Sequence, residues 1–330
     1  MILAGDIGGT KVNLGLFELR DGKLTATGEG TRSSHAFPRL QDLVKEYLDS
    51  AGSPTVESAC FGVAGPVRDG VVRVTNLPWQ VGSAELSAEL KIPRVSLIND
   101  LEANGYGLAE LPPGDLVTLN AGTAGAAGNA AIISAGTGLG EAGLFWDGET
   151  HRPFACEGGH GSFAPQTELD AELFAWLRKR HGHVSWERVL SGSGLCNIHA
   201  FLQDTGRGED PADVVEAMAH SDPAAVITEA ALAGKGSRCV QALDLFVGYY
   251  GAEAGNLALK MMSLGGVYIG GGIAPRILPR LREGKFLASF TDKGRMRPLL
   301  EAMPVRVVLN PKTALLGAAH YAAFGPDAGV

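Results

Sequence analysis

The chain has 330 residues, 45% of them hydrophobic and 19% charged, enough for two medium domains with substantial cores. Its 28 basic and 36 acidic side chains leave a net charge of −8 with no basic run, which argues against nucleic acid or an anionic membrane surface as a partner. Lys260 and several glycines interrupt the best candidate for a membrane span, and Asp6 comes too early for a signal peptide, so the expected location is the cytoplasm. Cys60, Cys156, Cys196 and Cys239 are widely spaced, form no CxxC pair, and read as free or buried thiols in a reducing cytosol.

The first element is "MILAGDIGGTKVNLGLF". Val12, Leu14 and Leu16 alternate with Asn13 and Gly15, so the glycines Gly8 and Gly9 join two strands in a hairpin. The common phosphate loops run from a strand into a helix, so a helix dipole is not the binding device here. Backbone amides freed of Cβ crowding, with the Thr10 hydroxyl, suit phosphate oxygens, and Asp6 is a hard oxygen ligand for Mg²⁺ beside them. Asp21-Gly22 makes a second turn. "PRLQDLVKEYLDSAG" carries a helical apolar stripe, "SACFGVAGPV" and "GVVRVTNLPW" read as strands, and "SAELSAEL" as a helix. "RVSLIND" is a buried strand of the parallel type that places Asn99 and Asp100 at its carboxyl end, the usual address of ligands in open α/β sheets. Asp100 there can accept a proton from a hydroxyl, or can cap the helix that follows. Strands alternating with helices define an α/β chain, and "LPPGD" at Pro112 and Pro113 is a plausible seam.

The second half restarts the pattern. In "AAIISAGTGLGEAGLFWDG", Gly136 leads to Gly143-Leu144-Phe145 as Gly8 leads to Gly15-Leu16-Phe17, so a related hairpin is expected to offer Thr137 and Gly138 to the same kind of ligand. Three helical segments follow, one opened by a Thr167/Asp170 capping pattern, the second running from "SWERVLSGSG" with Glu187 at its start, and the third over residues 237–263. "GGVYIGGGIAPR" is a strand, a glycine cluster around Gly271 and a helix expected near Pro275. The glycines there suit either a close crossing of backbone or a wall for a flat nucleoside. "CEGGHGSF" sets Glu157 and His160 on a loop; with His183 they match no strong metal-ligand spacing, and they suit a polyhydroxylated ligand whose groups both donate and accept.

Taken in order, "GDIGGT", "TNLPW", "LINDLEAN", "SAGTGLG", "EGGHGSFAP", "HVSWERVLSGSGL", "GNLAL", "IGGGIAPR" and "ALLGAAH" resemble the bacterial ATP-dependent glucokinases, the zinc-free hexokinase group of the actin-like ATPase superfamily. The resemblance implies an α/β fold of two actin-like (ribonuclease H-like) domains with a nucleotide and sugar cleft between them. The small domain would be residues 1–110 plus 312–330 and the large one 111–311. It implies that Asn99, Asp100, Glu157, His160 and Glu187 hold glucose, with Asp100 as the base for its 6-hydroxyl. Asp6, through water and Mg²⁺, with Gly8, Gly9, Thr10, Thr137 and Gly138, would face the ATP phosphates, and Gly271 with its neighbours the nucleoside. Family members are commonly cytoplasmic homodimers. Lys11 is shared instead with the related repressor, open-reading-frame and kinase group, but the clustered zinc cysteines of that group are absent and no DNA-binding extension precedes Met1. A kinase of mannose, fructose or glucosamine, or a non-catalytic sugar sensor switched by ATP, are the alternatives.

Overall fold

A computed structural model describes residues 1–75 and 77–326; Asn76 of the "TNLPW" run lies outside them. The chain divides into two compact units. One comprises Met1–Gly114, His151–Ala155 and the residues from Asn310 onward, and the other Asp115–Thr150 with Cys156–Leu309.

The first unit is built on strands β1 (Ile2–Ile7), β2 (Lys11–Arg20), β3 (Lys23–Ser33), β4 (Ser58–Val63), β5 (Val71–Arg73), β6 (Gln80–Gly82) and β7 (Arg94–Asn99). The sheet order is β3-β2-β1-β4-β7, antiparallel through the two hairpins and parallel from β1 to β4 to β7. Asp21 and Gly22 have φ of 51° and 74°, the left-handed pair that a two-residue hairpin needs. Alternate residues of the parallel strands enter two cores. Leu3, Ile7, Phe61 and Leu97 face the helices on one side, whereas Ile2, Ala4, Cys60 and Ile98 face Ala314, Leu315, Ala318 and Ala319 on the other. Cover on both faces is why these strands read as continuous apolar runs. The last helix, Thr313–Phe324, crosses the helix Asp100–Gly107 very closely: a Cβ on Gly317 would overlap the Ala103 carbonyl, and one on Gly107 the Thr313 carbonyl. The strand expected over "GVVRVTNLPW" shortens to β5 paired with β6, because Val74 N–H bonds the Trp79 carbonyl at 3.0 Å and folds the run back.

The second unit contains β8 (Leu116–Asn120), β9 (Ala130–Ala135) and β10 (Leu139–Trp146), followed by β11 (His151–Cys156), which straddles the division. It continues with β12 (Gly266–Gly270) and β13 (Val305–Val308). Within it β10-β9-β12-β13-β8 are neighbours, with β9, β12 and β13 parallel. A hairpin followed by two parallel strands therefore occurs twice. The second turn is one residue shorter, since Ile7 pairs with Val12 but Ala135 with Leu139.

The helix Glu168–His181 opens on a capping box in which Thr167 Oγ1 accepts the Asp170 N–H at 3.1 Å and Asp170 Oδ2 accepts the Thr167 N–H at 2.9 Å. The helix expected from Trp186 onward is instead a single 3₁₀ turn, Trp186–Arg188, and then a helix Gly192–Asp204 capped by Ser191 Oγ on the Gly194 N–H. Two further helices, Ala212–His220 and Pro223–Leu232, are ones the sequence reading missed. Pro275 does not open a helix: residues 271–277 form turns, and the helix begins at Leu278 with Pro279 in its first turn.

Candidate active site

In the first unit Asp6 lies one residue before the end of β1, opposite Asn13. Asn13 Nδ2 donates to Asp6 Oδ2 at 3.1 Å, and Thr31 Oγ1 donates to Asn13 Oδ1 at 2.9 Å, so a ladder across three strands orients the carboxylate. Burial pushes the Asp6 carboxyl above its usual range, against the pull of the Asn13 bond and the Lys11 charge. The adjoining turn is fixed from below. Gly8 N–H bonds the Lys11 carbonyl at 3.0 Å, Ser34 Oγ donates to the Gly8 carbonyl at 2.8 Å, and Ser34 N–H donates to the Thr10 carbonyl at 3.0 Å. Gly8 and Gly9 are half-buried and Thr10 is exposed.

At the end of β7 the capping role falls to Asn99, not Asp100. Asn99 Oδ1 accepts the Leu101 N–H at 2.8 Å, Glu102 Oε2 accepts the Asn99 N–H at 2.9 Å, and Asn99 Nδ2 donates to the Gly65 carbonyl at 3.2 Å. Asn99 is 8% exposed and holds the ends of β4 and β7 in register. Asp100 becomes the first residue of the helix, half-buried, with Oδ1 3.1 Å from the Leu101 N–H.

In the second unit three segments come together. The loop after β11 pairs with the stretch before the 3₁₀ turn: Phe163 N–H bonds the Val184 carbonyl and Trp186 N–H the Gly161 carbonyl, both at 2.9 Å. Glu187 Oε2 accepts the Leu139 N–H at 3.1 Å and sits so close to Gly138 that a Cβ there would lie 2.5 Å from it. A Cβ on Gly159 would overlap the Leu139 carbonyl, so the glycines of "EGGH" let that loop lie flat on the hairpin turn. Glu157, His160 and Glu187 are thus carried by adjoining pieces of one unit. The Glu157 carboxylate and the His160 imidazole are 3.9 Å apart, with side chains 61% and 62% exposed. His183 Nε2 lies 3.1 Å from the His160 carbonyl, which ties its ring to the loop backbone. Among the described residues the one cluster of three metal-capable side chains is elsewhere, at His199, Asp210 and Cys239, where Arg238 already pairs with Asp210.

Beside these segments lies a cavity of about 590 Å³ lined by Gly136, Thr137, Ser193, Asp222, Gly272 and Arg276, among others. Gly271 itself answers to backbone geometry, with φ of 83° and a Cβ direction blocked by the Ala135 carbonyl; its neighbour Gly272 lines the cavity. Tyr250, fully buried, accepts the Ala135 N–H at 3.1 Å and donates to the Gly270 carbonyl at 3.1 Å, stapling β9 to β12 where both glycine turns begin. Sequence reasoning missed Asn13, Tyr250, Asp222 and Arg276. Only Asp222 carried a local signal, as the cap before Pro223.

These strand orders, with a glycine hairpin leading each unit, define the two-domain actin-like sugar-kinase fold. A solved glucokinase from an Antarctic psychrotroph superposes with a TM-score of 0.83 at 34% identity, covering 97% of this chain and 98% of its own. A ROK-family glucokinase from Streptomyces griseus, solved in complex with glucose and AMPPNP, shares the fold with a TM-score of 0.67 at 21% identity, covering 97% of this chain and 98% of its own. The curated glucokinase of Trichormus variabilis is 44% identical over 338 residues, spanning 98% of this chain and 99% of that protein. The family model described as glucokinase matches residues 3–324, and the chain belongs to the glucokinase family.

Proposed function

We propose that this chain transfers the γ-phosphoryl group of ATP to the 6-hydroxyl of glucose. Family membership supports the reading, and the supporting observation in the geometry is the placement at the end of β7: Asn99 caps the helix, and Asp100, its half-buried first residue, takes the general-base role. Asp100 accepts the hydroxyl proton as the oxygen attacks phosphorus, a role worth about 10²–10⁴ in rate. Asn99, Glu157, His160 and Glu187 pair the sugar hydroxyls, and a site that pairs each hydroxyl discriminates epimers, because an unmatched polar group costs about 1–3 kcal/mol. Gly8, Gly9, Thr10, Thr137 and Gly138 serve the phosphates, and the cavity beside Gly272 takes the nucleoside.

Asp6 fits a magnesium role. It is a hard oxygen donor with one neutral hydrogen bond, from Asn13, and its raised proton affinity is what a nearby cation would offset. Bound there through water, Mg²⁺ would neutralise charge on the transferring phosphoryl group. Asp6, Asn13 and Thr31 would orient it. A cytoplasmic homodimer belongs to the same proposal. No described helix is long and apolar enough to cross a membrane.

The test is an assay of hexose 6-phosphate formation over glucose, mannose, fructose and glucosamine with ATP, ADP and polyphosphate as donors, with ADP release followed in parallel for ATP. Glucose with ATP is expected to give the highest kcat/KM. A higher value for another hexose, or ADP release independent of sugar, would overturn the reading.

A further inference from the structure

Beneath the "EGGH" loop two carboxyl groups are shut away from water. Glu141 on β10 is 1% exposed and Glu253 on the helix Ser237–Met261 is 0% exposed. Counted from the last paired rung of each hairpin, Val12 and Leu139 correspond, so Glu141 stands where the first unit has the fully buried Leu14. An acid in a leucine's place is costly to keep unless it does something. Glu141 Oε1 finds no donor among the described residues, and the neighbouring charge that, after burial itself, raises its proton affinity is another carboxyl, Glu253. Two buried carboxyls so placed escape mutual repulsion when one of them carries a proton. Glu253 is anchored by Asn256 Nδ2 at 2.7 Å and Lys260 Nζ at 3.4 Å. On its other side Glu141 presses on the loop: a Cβ on Gly158 would overlap Glu141 Oε2, and Cys156 Sγ donates to the Glu141 carbonyl at 3.4 Å.

We propose that Glu141 is a positioning residue: held protonated in its buried site beside Glu253, it forms the floor under Gly158 that sets the Glu157–His160 loop for sugar, and loss of that proton weakens glucose binding. This rests on the reading of that loop as the glucose site. The titratable groups facing the pair are Lys260 and Tyr250 from the same helix as Glu253, Cys156 from the end of β11, and Lys293 from the segment beyond β12. Burial first, then the Glu253 charge, pushes the Glu141 carboxyl up to about 8, with Lys260 opposing; burial raises Glu253 as well. Below that pH the pair holds one negative charge. Above it two anions repel in a dry pocket whose roof is Gly158.

Since the folded protein holds a proton that the unfolded chain gives up near the ordinary carboxylate range, the pair's contribution to stability is whole at low pH and declines as pH rises towards 8. The decisive experiment is glucose binding by calorimetry at pH 7 and pH 9, without nucleotide, on the wild type and on Glu141→Gln, which keeps a donor for Glu253 but cannot ionise. The neutral fraction falls from about nine-tenths to about one-tenth, so wild-type affinity is expected to drop about tenfold and the variant's to stay flat. The wild-type melting temperature is also expected to fall more steeply with pH than the variant's. Equal alkaline losses in both proteins overturn the proposal while leaving the kinase reading intact. No glucose binding at pH 7 in the wild type overturns both. If Glu141→Gln does not fold, Glu253→Gln removes the second charge and is expected to flatten the profile in the same way; an unflattened profile overturns the proposal.

Discussion

The turn at Gly8–Thr10 and the turn at Gly136–Gly138 grow from one backbone plan, a hairpin leading into two parallel strands, yet they carry different side chains. Two residues before the turn the first unit has Asp6 and the second has Ser134. Two rungs back along the second strand the first unit buries Leu14 and the second buries Glu141. The outer parallel strand ends on Asn99 in the first unit, with Asp100 opening the next helix, and on Val308 in the second. Both acids proposed for the chemistry therefore sit on the first plan, at or just beyond a strand end. The second plan places five helices between β11 and β12, and with them a cavity and the loop proposed to hold sugar. A repeated backbone becomes two devices by replacement at a few strand ends, which is how function is grafted onto a fold.

Three substitutions test that division. The largest effect is expected from Asp100→Ala, which should lower kcat by about 10²–10⁴ while the melting temperature stays within a few degrees of the wild type. A loss of less than tenfold in the hexose 6-phosphate assay would remove the base from the first unit. Next is Tyr250→Phe, which strips the Ala135 N–H of its buried acceptor at a cost of about 1–3 kcal/mol in stability. The KM for ATP should rise while that for glucose holds, and a glucose KM rising equally would break the assignment of this staple to the nucleotide turns. The smallest is Ser34→Ala, which frees the Gly8 carbonyl from one hydrogen bond worth about 1 kcal/mol. A KM for ATP raised severalfold is expected, and no change would mean that the first turn does not bear on nucleotide.

The hairpins were legible because period-two alternation and Asp-Gly turns are local signals, and the Thr167/Asp170 capping box was legible for the same reason. The cap of the helix after β7 was not. "IND" offers two good cap residues in a row, and the choice is made by the Gly65 carbonyl, distant in sequence, which holds the Asn99 amide. Pro275 looked like a helix start because the sequence alone does not reveal that the Ala135 carbonyl blocks Gly271 and that the chain must turn through Ile277 first. Helix 223–232 was passed over although Asp222-Pro223 marks a start, since its alanines draw no sharp apolar stripe, and helix 212–220 is short and opens without a side-chain cap. Glu141, Glu253 and Tyr250 were illegible for a deeper reason. Acidic side chains ordinarily read as solvated and an aromatic in a helix as core, and only tertiary structure brings these partners together.

The glycine crossing of Thr313–Phe324 over Asp100–Gly107 bears on the order of assembly during synthesis. Residues 115–309 apart from 151–155 form their unit from nearly contiguous chain. The strand that starts at Ile2, by contrast, has one face that meets its alanine-rich cover only when residues 314–322 emerge. A strand that leaves the ribosome before the whole of the other unit is thus sealed after it, its outer apolar side waiting while that later unit closes.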